Sequence, residues 1–244
     1  MSVGNVGTTP GSKPERHRIS VVMPVLDEAL RIVAALGDLS SVDDIHEVIV
    51  VDGGSSDRTA ELAASFPRVT VIGAARGRAN QMNAGAAAAT GDVLLFLHAD
   101  VTLPIDAASW IEAALRDPAV VAGAFRTWTV ADGEAPRWAP LLHLADIRSR
   151  YTRLPYGDQA MFVRAGVFRS LGGFAPVELM EDLELSRRLQ AVGRIRTVPR
   201  SVRVSGRRFV ARPVFFTLVV NIFPLLYRLG VPPSTLSALY RHIR

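Results

Sequence analysis

The segment EVIVVDGGSSD, from Glu47 to Asp57, is an apolar run rich in β-branched residues that ends in Asp, Gly and Ser. Three further runs have the same character: ISVVMPV at Ile19–Val25, VTVIG at Val69–Gly73 and VLLFLHAD at Val93–Asp100. Strands that are buried on both faces show this nearly continuous apolar pattern. The stretches between them have the composition and length of helices: Glu28–Leu39, Arg58–Ser65 and Ala79–Ala89. This alternation predicts an α/β fold with a Rossmann-like, mostly parallel sheet flanked by helices, which binds ligands beyond the carboxyl ends of its strands.

The alternation of strands and helices becomes less regular after about residue 104. Composition there predicts helices at Ala107–Leu115, Trp138–Arg148 and Glu181–Ala191, and a strand at Val120–Val130. No stretch rich in Gly, Ser or Pro separates this part from the first, so we expect one domain over residues 18–208 with two functional halves. Residues 1–17 are rich in such residues and are predicted to form a disordered tail without the apolar segment of a signal peptide.

Composition excludes several kinds of site. The chain has 244 residues, 49% of them hydrophobic, and no cysteine, which rules out disulfides, thiolate zinc sites, iron–sulfur clusters and a cysteine nucleophile. The net charge is +5, but it is unevenly placed, because no acidic residue follows Glu184 whereas 12 arginines do. This asymmetry favours an anionic partner near the C-terminal segment, such as phosphate groups or an acidic membrane surface. Nucleic acid is a weaker reading, because no recognisable binding module is present.

Residues 209–244 form an apolar and basic segment that we expect to be helical. Its core, PVFFTLVVNIFPLLY at 213–227, is 15 residues long, which is short of the roughly 20 that a spanning helix needs, and it contains Asn221 and Pro224. Two interpretations remain open. The helix packs on the domain or on a partner subunit, as in a homodimer, or it lies at an interface where its flanking arginines meet anionic lipid.

Three clusters of residues have the chemistry of a site, and each also has a structural interpretation. Asp52, Gly53 and Ser55 follow a strand and suit a nucleotide, although any α/β protein needs such a turn. His98 and Asp100 end the most apolar strand, where alternation places them on one face and Asp100 suits Mg²⁺ or Mn²⁺, although a lone Asp there is often a loop cap. Glu181 and Asp182 open a predicted helix, where acids are favoured by the helix dipole but where a general base would also fit.

The order of these motifs is more specific than any of them alone. PVLDE at 24–28, VVDGGSSD at 50–57, RGRANQMNAGAAAATGD at 76–92, FLHAD at 96–100, GDQ at 157–159 and MEDLEL at 180–185 follow one another. From about Ile19 to Arg208 the sequence resembles the family 2 glycosyltransferases of GT-A fold. It is similar in particular to a bacterial subgroup with FLHAD where most relatives have Asp-x-Asp. It departs from the common pattern at His98, which replaces the first Asp, and at Asp27, where many relatives have Asn.

The resemblance implies a nucleotide-sugar donor, UDP-linked, bound by residues 18–104, and a hydroxyl acceptor bound by residues 105–208. It assigns the base and ribose to the turns around Pro24, Val25, Leu26, Glu28, Asp52, Gly53 and Ser55. It assigns the nucleotide or diphosphate to Arg76 and Gln81, with a contribution from Arg207 or Arg208, and the divalent metal, Mn²⁺ or Mg²⁺, to Asp100. His98 is the second candidate metal ligand, and as a departure from the family pattern it either alters the metal preference or leaves Asp100 to bind the metal alone. Asp182 matches the family's catalytic base and Glu181 would orient it or the acceptor. The neighbouring polar turn Gly157, Asp158 and Gln159 lies on the same predicted side as the acceptor.

We therefore expect a metal-assisted, inverting glycosyltransferase whose acceptor is a lipid, metabolite or glycan. A retaining glycosyltransferase, a sugar nucleotidyltransferase and a non-catalytic membrane-associated binding module remain as alternatives. The expected location is cytoplasmic, with peripheral contact at the inner face of the membrane through the C-terminal segment.

Overall fold

The computed structural model describes residues 16–131, 143–151, 154–207 and 213–243. The first part of the chain alternates strands and helices in this order: β1 (Ile19–Val25), α1 (Ala29–Ser40), β2 (Ile45–Asp52), α2 (Thr59–Ala64), β3 (Val69–Gly73), α3 (Arg78–Ala88) and β4 (Val93–Phe96). The second part is more varied: β5 (Val101–Thr102), α4 (Ala107–Leu115), β6 (Val120–Val130), α5 (His143–Tyr151), a 3₁₀ turn (Gly157–Gln159), β7 (Phe162–Arg164), α6 (Ala165–Ser170), α7 (Glu181–Val192), β8 (Arg194–Ser205), α8 (Pro213–Arg228) and α9 (Pro233–Ile243).

All eight strands of the described chain belong to one mixed sheet in the order β3-β2-β1-β4-β7-β6-β8-β5. Strands β1 to β4 pair in parallel, as the sequence predicts. The short β7 runs antiparallel to both β4 and β6, while β8 returns parallel to β6 and β5 lies antiparallel at the edge. The predicted α/β fold with a mostly parallel sheet flanked by helices is therefore confirmed.

The sheet separates two apolar layers, because side chains alternate between its faces along each strand. In β1, Val21 and Met23 join the layer that contains Ile32 and Leu36 of α1, whereas Val22 joins the layer that contains Met82 of α3. Both layers consist of buried side chains with partly buried residues packed against them. Such packing fixes the strand ends firmly and gives the loops that follow them a rigid base.

Two strand predictions need correction. Strand β4 ends at Phe96, four residues before the predicted end at Asp100, so His98 and Asp100 lie in the loop between β4 and β5 and the alternation argument does not apply to them. Strand β8 was not predicted at all, since its sequence RIRTVPRSVRVS contains Pro199 and only two buried side chains. Proline is unusual inside a strand and partial exposure weakens the apolar signal.

The predicted apolar segment of the C-terminus forms α8, which contains Pro224, and a second helix, α9, follows it. Within the described residues, no helix combines the length and hydrophobicity that crossing a membrane requires. Phe223 of α8 and Leu236 of α9 are buried. At least one face of each helix therefore packs on the domain.

Candidate active site

A cavity of about 570 Å³ lies at the carboxyl ends of β1 and β4, where a parallel sheet is expected to bind ligands. Its walls come from parts of the chain that are distant in sequence. They include Pro24, Val25, Leu26, Glu28, Arg76, Arg78, Gln81, His98, Asp100, Tyr156, Gly157, Asp158, Glu178, Glu181, Asp182, Val219 and Phe223. The candidate metal ligands and the candidate base are thus brought together at one cavity.

The end of β1 is joined to the end of β2 by the side chain of Gln81 from α3. This buried amide donates to the carbonyl oxygens of Val25 at 2.8 Å and Val51 at 2.9 Å. A Cβ on Gly53 would lie only 2.9 Å from the Gln81 Cδ, so glycine is needed there for the two segments to approach. Gln81 lines the cavity and also shapes it, a structural role that the sequence did not reveal.

The turn after β2 is held by its own carboxylates. Asp52 accepts hydrogen bonds from the backbone N–H groups of Gly54 at 3.2 Å and Ser55 at 3.0 Å, and from the Ser55 hydroxyl. Asp57 accepts from the N–H groups of Ala29 and Thr59, and the Thr59 hydroxyl bond holds the pKa of the Asp57 carboxyl below its usual range. Asp52, Gly53 and Ser55 are not among the residues that line the cavity. Most of the hydrogen-bonding capacity of this turn is therefore directed to its own backbone.

Asp100 is held beside a cation at the edge of the cavity. Arg207, just past the end of β8, donates to Glu28 through both terminal nitrogens, at 2.8 and 3.3 Å, and its Nη2 lies 3.7 Å from Asp100 Oδ2. The N–H of Ser205 donates to the carbonyl oxygen of Asp100 at 2.9 Å. Strand β8 thus joins Glu28 from the first half to the candidate metal ligand. Arg208 lies outside the described residues.

Asp182 is fixed at the start of α7 by two backbone donors. Gly157 N–H donates to Asp182 Oδ2 at 2.6 Å, and Leu183 N–H donates to Oδ1 at 2.7 Å. The same glycine also meets the imidazole, because a Cβ on Gly157 would lie 3.1 Å from His98 Nε2 and 3.5 Å from Asp182 Oδ2. His98 and Asp182 therefore both lie close to Gly157.

Glu181 precedes Asp182 and is almost completely buried, with 4% of its surface exposed. Burial raises the pKa of the Glu181 carboxyl, and the negative charge of the neighbouring Asp182 raises it further. The positive charge of Arg78, whose Nη1 lies 3.7 Å from Glu181 Oε1, lowers the same pKa and so opposes the effect of burial. The protonated form of Glu181 is thus favoured more than that of an exposed glutamate. Such a group can donate as well as accept a hydrogen bond inside the cavity.

The three residues of the Gly157–Gln159 turn have different positions. Gly157 and Asp158 line the cavity, but Gln159 is buried behind it. Gln159 donates to the carbonyl oxygen of Phe125 at 2.9 Å and accepts from the N–H of Tyr156 at 3.0 Å. Gln159 thereby secures the turn to β6 and does not itself face the cavity.

The residues at this site fit a divalent cation only in combination with a ligand. The described part of the chain has no group of three or more His, Asp or Glu side chains placed to hold a metal. A Mg²⁺ or Mn²⁺ ion that binds a nucleotide usually takes only one or two carboxylates and completes its shell with phosphate oxygens and water. Asp100, with the His98 imidazole on the same cavity wall, matches that smaller donor set.

Several cavity residues were not assigned from sequence. Tyr156 and Glu178 line it, and α8 adds the apolar side chains of Val219, Phe223 and Pro224. Arg78 also lines the cavity, and it did have a sequence signal, since the basic stretch RGR at 76–78 indicates arginines that could face an anionic ligand. The α8 residues had none, because an apolar helix in sequence gives no indication of which surface it will cover.

Comparison with known proteins agrees with this geometry. Residues 20–172 match the family described as Glycosyl transferase family 2. The chain belongs to glycosyl transferase family 2. The predicted family and enzyme class are thereby confirmed.

A pre-mycofactocin glycosyltransferase of Mycobacterium tuberculosis is 30% identical to the chain over 233 residues, which cover 85% of this chain and 47% of that protein. The chain thus spans about half the length of the curated relatives that it matches.

Solved structures of the same fold support the predicted GT-A-like architecture. The mannosyltransferase PcManGT from Pyrobaculum calidifontis, in complex with GDP-Man and Mn²⁺, has a TM-score of 0.62 and 24% identity, covering 78% of this chain and 57% of that one. Residues 1–349 of S. aureus TarS, in complex with UDP-GlcNAc, also have a TM-score of 0.62, with 17% identity, covering 77% of this chain and 58% of that one. At these identities the likeness concerns the fold.

Proposed function

We propose that the protein transfers a sugar from a nucleoside-diphosphate donor to a hydroxyl acceptor, with assistance from a divalent metal and with inversion at the anomeric carbon. The observation that carries this proposal is that Asp100 and Asp182, which are far apart in sequence, line one cavity. The proposed donor is UDP-linked. Among the structural neighbours, TarS is in complex with UDP-GlcNAc and PcManGT with GDP-Man, so both nucleotides belong in the test.

On the donor side, the backbone around Pro24–Leu26, which lines the cavity, would receive the base and ribose. Arg76 and Arg78 line the same cavity and would meet the diphosphate, since guanidinium groups bind phosphate oxygens through paired hydrogen bonds. Asp100 and His98 would hold the metal, and we propose that the chain belongs to a subgroup that has FLHAD in place of Asp-x-Asp. A divalent cation, when bound, neutralises the negative charge that grows on the leaving diphosphate.

Arg207 places a further positive charge beside Glu28 and Asp100, two residues that line the cavity. Its guanidinium is held by Glu28 and lies 3.7 Å from Asp100. A fixed cation near the leaving group lowers the barrier without the cost of reorganisation during the reaction. We assign Arg207 to the stabilisation of the diphosphate.

On the acceptor side, Asp182 would remove the proton of the attacking hydroxyl. Its two oxygens each accept one backbone N–H, which fixes the plane of the carboxylate while leaving a lone pair on each oxygen for the acceptor. Glu181 would orient the acceptor as a hydrogen-bond donor, since burial favours its protonated form. The acceptor oxygen then attacks the anomeric carbon as its bond to the diphosphate breaks.

The test begins with binding. Thermal unfolding of the full chain would be measured with UDP-glucose, UDP-GlcNAc and GDP-mannose, each with Mn²⁺, with Mg²⁺ and with chelator. A donor that binds the folded protein raises its melting temperature, and we expect that rise to depend on the metal. The donor identified in this way is then incubated with candidate alcohols, and the products are analysed by NMR.

We expect release of nucleoside diphosphate and a product with inverted anomeric configuration. Release of nucleoside monophosphate without diphosphate would contradict glycosyl transfer. Retention of configuration would contradict the role given to Asp182, because a retaining enzyme has no need for a base on the acceptor at that position.

A further inference from the structure

Helix α8 has apolar side chains on two faces. One face lines the cavity with Val219 and Phe223. The other face carries Ile222 and Leu225, which are 41% and 54% exposed, followed by Leu229, which is 74% exposed. Leu229 N–H still donates to the Leu225 carbonyl oxygen at 3.0 Å, so the helical path continues to this residue. The spacing of three and then four residues places these side chains on one side of the helix.

Helix α9 contacts α8 and adds the 44% exposed Leu239. We call Ile222, Leu225, Leu229 and Leu239 the outer stripe. Four large apolar side chains with this exposure on two adjoining helices are more than scattered surface residues, and such surfaces mark sites of interaction.

Contacts with the domain hold the two helices in place. The guanidinium of Arg187 in α7 lies 4.6 Å from the ring centroid of Tyr227 in α8. Ser237 of α9 donates to Glu178 at 2.7 Å, and Leu236 is fully buried. These contacts use the domain-facing sides of α8 and α9. The outer stripe is therefore left facing outward from helices that are already anchored.

The positive charge of the C-terminal segment indicates which kind of partner covers the outer stripe. In the sequence no acid follows Glu184, whereas the apolar stretch at 213–227 stands between Arg212 and Arg228, and Arg241 and Arg244 are among the last four residues. An apolar helix face with basic flanks matches a membrane with anionic headgroups, where the side chains enter the acyl boundary and the arginines meet phosphate. A second copy of the chain would instead bring two basic, acid-free segments together, which is unfavourable.

We propose that the outer stripe docks the protein on an anionic lipid surface, with α8 lying in the plane of the interface. The helix has 16 residues, and none of the described helices is able to span a bilayer. Because another face of α8 lines the cavity, docking would bring the lipid surface within one helix diameter, about 10 Å, of the cavity. The surface would then deliver an acceptor that resides in the membrane.

The experiment measures co-sedimentation of the full chain with vesicles of phosphatidylcholine, with and without phosphatidylglycerol. We expect binding to the vesicles that contain phosphatidylglycerol and loss of binding as salt is raised, since surface charges are screened. The double variant Leu225→Glu, Leu229→Glu should bind at least about tenfold less, because it replaces inserted apolar groups by charges of the same sign as the lipid. Leu30→Glu in α1 and Ile105→Glu before α4 are matched controls, since both residues are exposed and lie outside α8 and α9.

Equal loss of binding in the controls would overturn the proposal, as would wild-type protein that ignores the anionic vesicles. Sedimentation velocity without lipid tests whether a second copy of the chain covers the outer stripe instead. If the wild-type protein is a dimer and the double variant is a monomer, the outer stripe serves self-association and lipid docking is refuted. Should the double variant not fold, Leu229→Trp replaces it. Its fluorescence, taken as a difference from wild type, should be quenched by brominated lipid, and unquenched emission on bound vesicles would contradict insertion.

Discussion

Two groups of aspartates lie beyond the strands of this sheet, and the structure uses them differently. At the end of β2 and in the turn after it, Asp52 and Asp57 direct their oxygens to N–H and hydroxyl groups within four residues or in the adjoining turn after β1. Asp100 and Asp182 instead line the cavity, and each is held by a partner that comes from a distant part of the chain, Arg207 and Gly157 respectively. The aspartates of the first group stabilise loops, whereas those of the second group have the position expected of residues in a reaction site. Position at a strand end is common to both and therefore does not by itself distinguish them.

The largest difference between the groups should appear with Asp182→Asn. The amide keeps the size of the side chain but cannot accept the acceptor's proton, so we expect turnover to fall by about 10²- to 10⁴-fold. Donor affinity should be nearly unchanged, because the change lies on the acceptor side. Steady-state kinetics combined with donor titration would measure both quantities.

Asp57→Asn is the matched control for this change, since it alters the same side chain in the other group. It should retain turnover and lower the melting temperature, because the amide replaces a carboxylate that accepts from Ala29 and Thr59. A variant at Asp57 that loses turnover as severely as the one at Asp182 would remove the distinction between the two groups.

Asp100→Ala should act on binding more than on proton transfer. Loss of the carboxylate removes the candidate metal ligand and the anion beside Arg207, so donor affinity in the presence of Mn²⁺ should fall by at least about tenfold. With chelator present, wild type and variant should bind the donor equally weakly. Calorimetric titration in both conditions measures this, and equal losses of donor affinity at Asp100 and Asp182 would contradict their separate roles.

Gly157→Ala tests the contact between the two walls of the cavity. The new methyl would lie 3.1 Å from His98 Nε2 and 3.5 Å from Asp182 Oδ2, which is too close for the imidazole to keep its position. We expect a loss of about 1 kcal/mol in the free energy of unfolding, as for mild overpacking, together with reduced turnover.

Gly166→Ala in α6 provides the comparison, because nothing lies within 4 Å of a Cβ there. It should gain about 0.5–1 kcal/mol, as alanine does over glycine inside a helix, and it should leave turnover intact. Chemical denaturation measures both stabilities. A stability and turnover unchanged by Gly157→Ala would show that His98 and Asp182 are not held against this glycine.

The first half of the fold could be predicted from sequence because its strands are nearly continuous apolar runs, of which β1 and β4 are entirely buried. The bounds of β1 and β3 agree with the prediction and those of α1 differ by one residue, since continuous apolar runs and helical stretches alternate clearly there. Strand β8 was not predicted because it contains Pro199 and is only partly buried, so its sequence shows little of the apolar periodicity of a strand. Without β8 the sequence does not predict that Arg207 contacts Glu28 and Asp100. Arg207 is 179 positions from Glu28 and 107 positions from Asp100 along the chain.

The candidate site could be predicted only as a set of motifs. Their order indicates which residues to consider, but which side chains face the cavity depends on tertiary packing. Gln159 belongs to a polar turn beside Gly157 and Asp158, yet it turns inward to Phe125. Phe223 sits in an apolar helix and yet lines the cavity. Neither outcome follows from local sequence, because each depends on the element that lies opposite.

The smallest expected effect is a change in melting temperature on substitution of the buried Glu181. It is compared with substitution of the exposed Glu61. Burial raises the pKa of Glu181 above its ordinary value of 4.5 in the folded protein. The folded state therefore binds a proton more tightly than the unfolded state, and stability is lost as the pH rises from 4.5 through the raised pKa. Glu181→Gln should remove this loss, so its melting temperature should exceed that of wild type at neutral pH by a few degrees at most.

The difference between Glu181→Gln and wild type should vanish below pH 4.5, where the carboxyl is protonated in both states. Glu61→Gln is the control, because the hydrogen bond from Arg58 lowers the pKa of the exposed Glu61 carboxyl, which is the opposite direction from Glu181. The Glu61→Gln variant should therefore show no rise in melting temperature at neutral pH. Melting temperatures over a pH series would measure both variants. A Glu181→Gln variant that is less stable than wild type at neutral pH would mean that Arg78 outweighs burial, and Glu181 would then act as an ionised partner of that arginine and not as a donor to the acceptor.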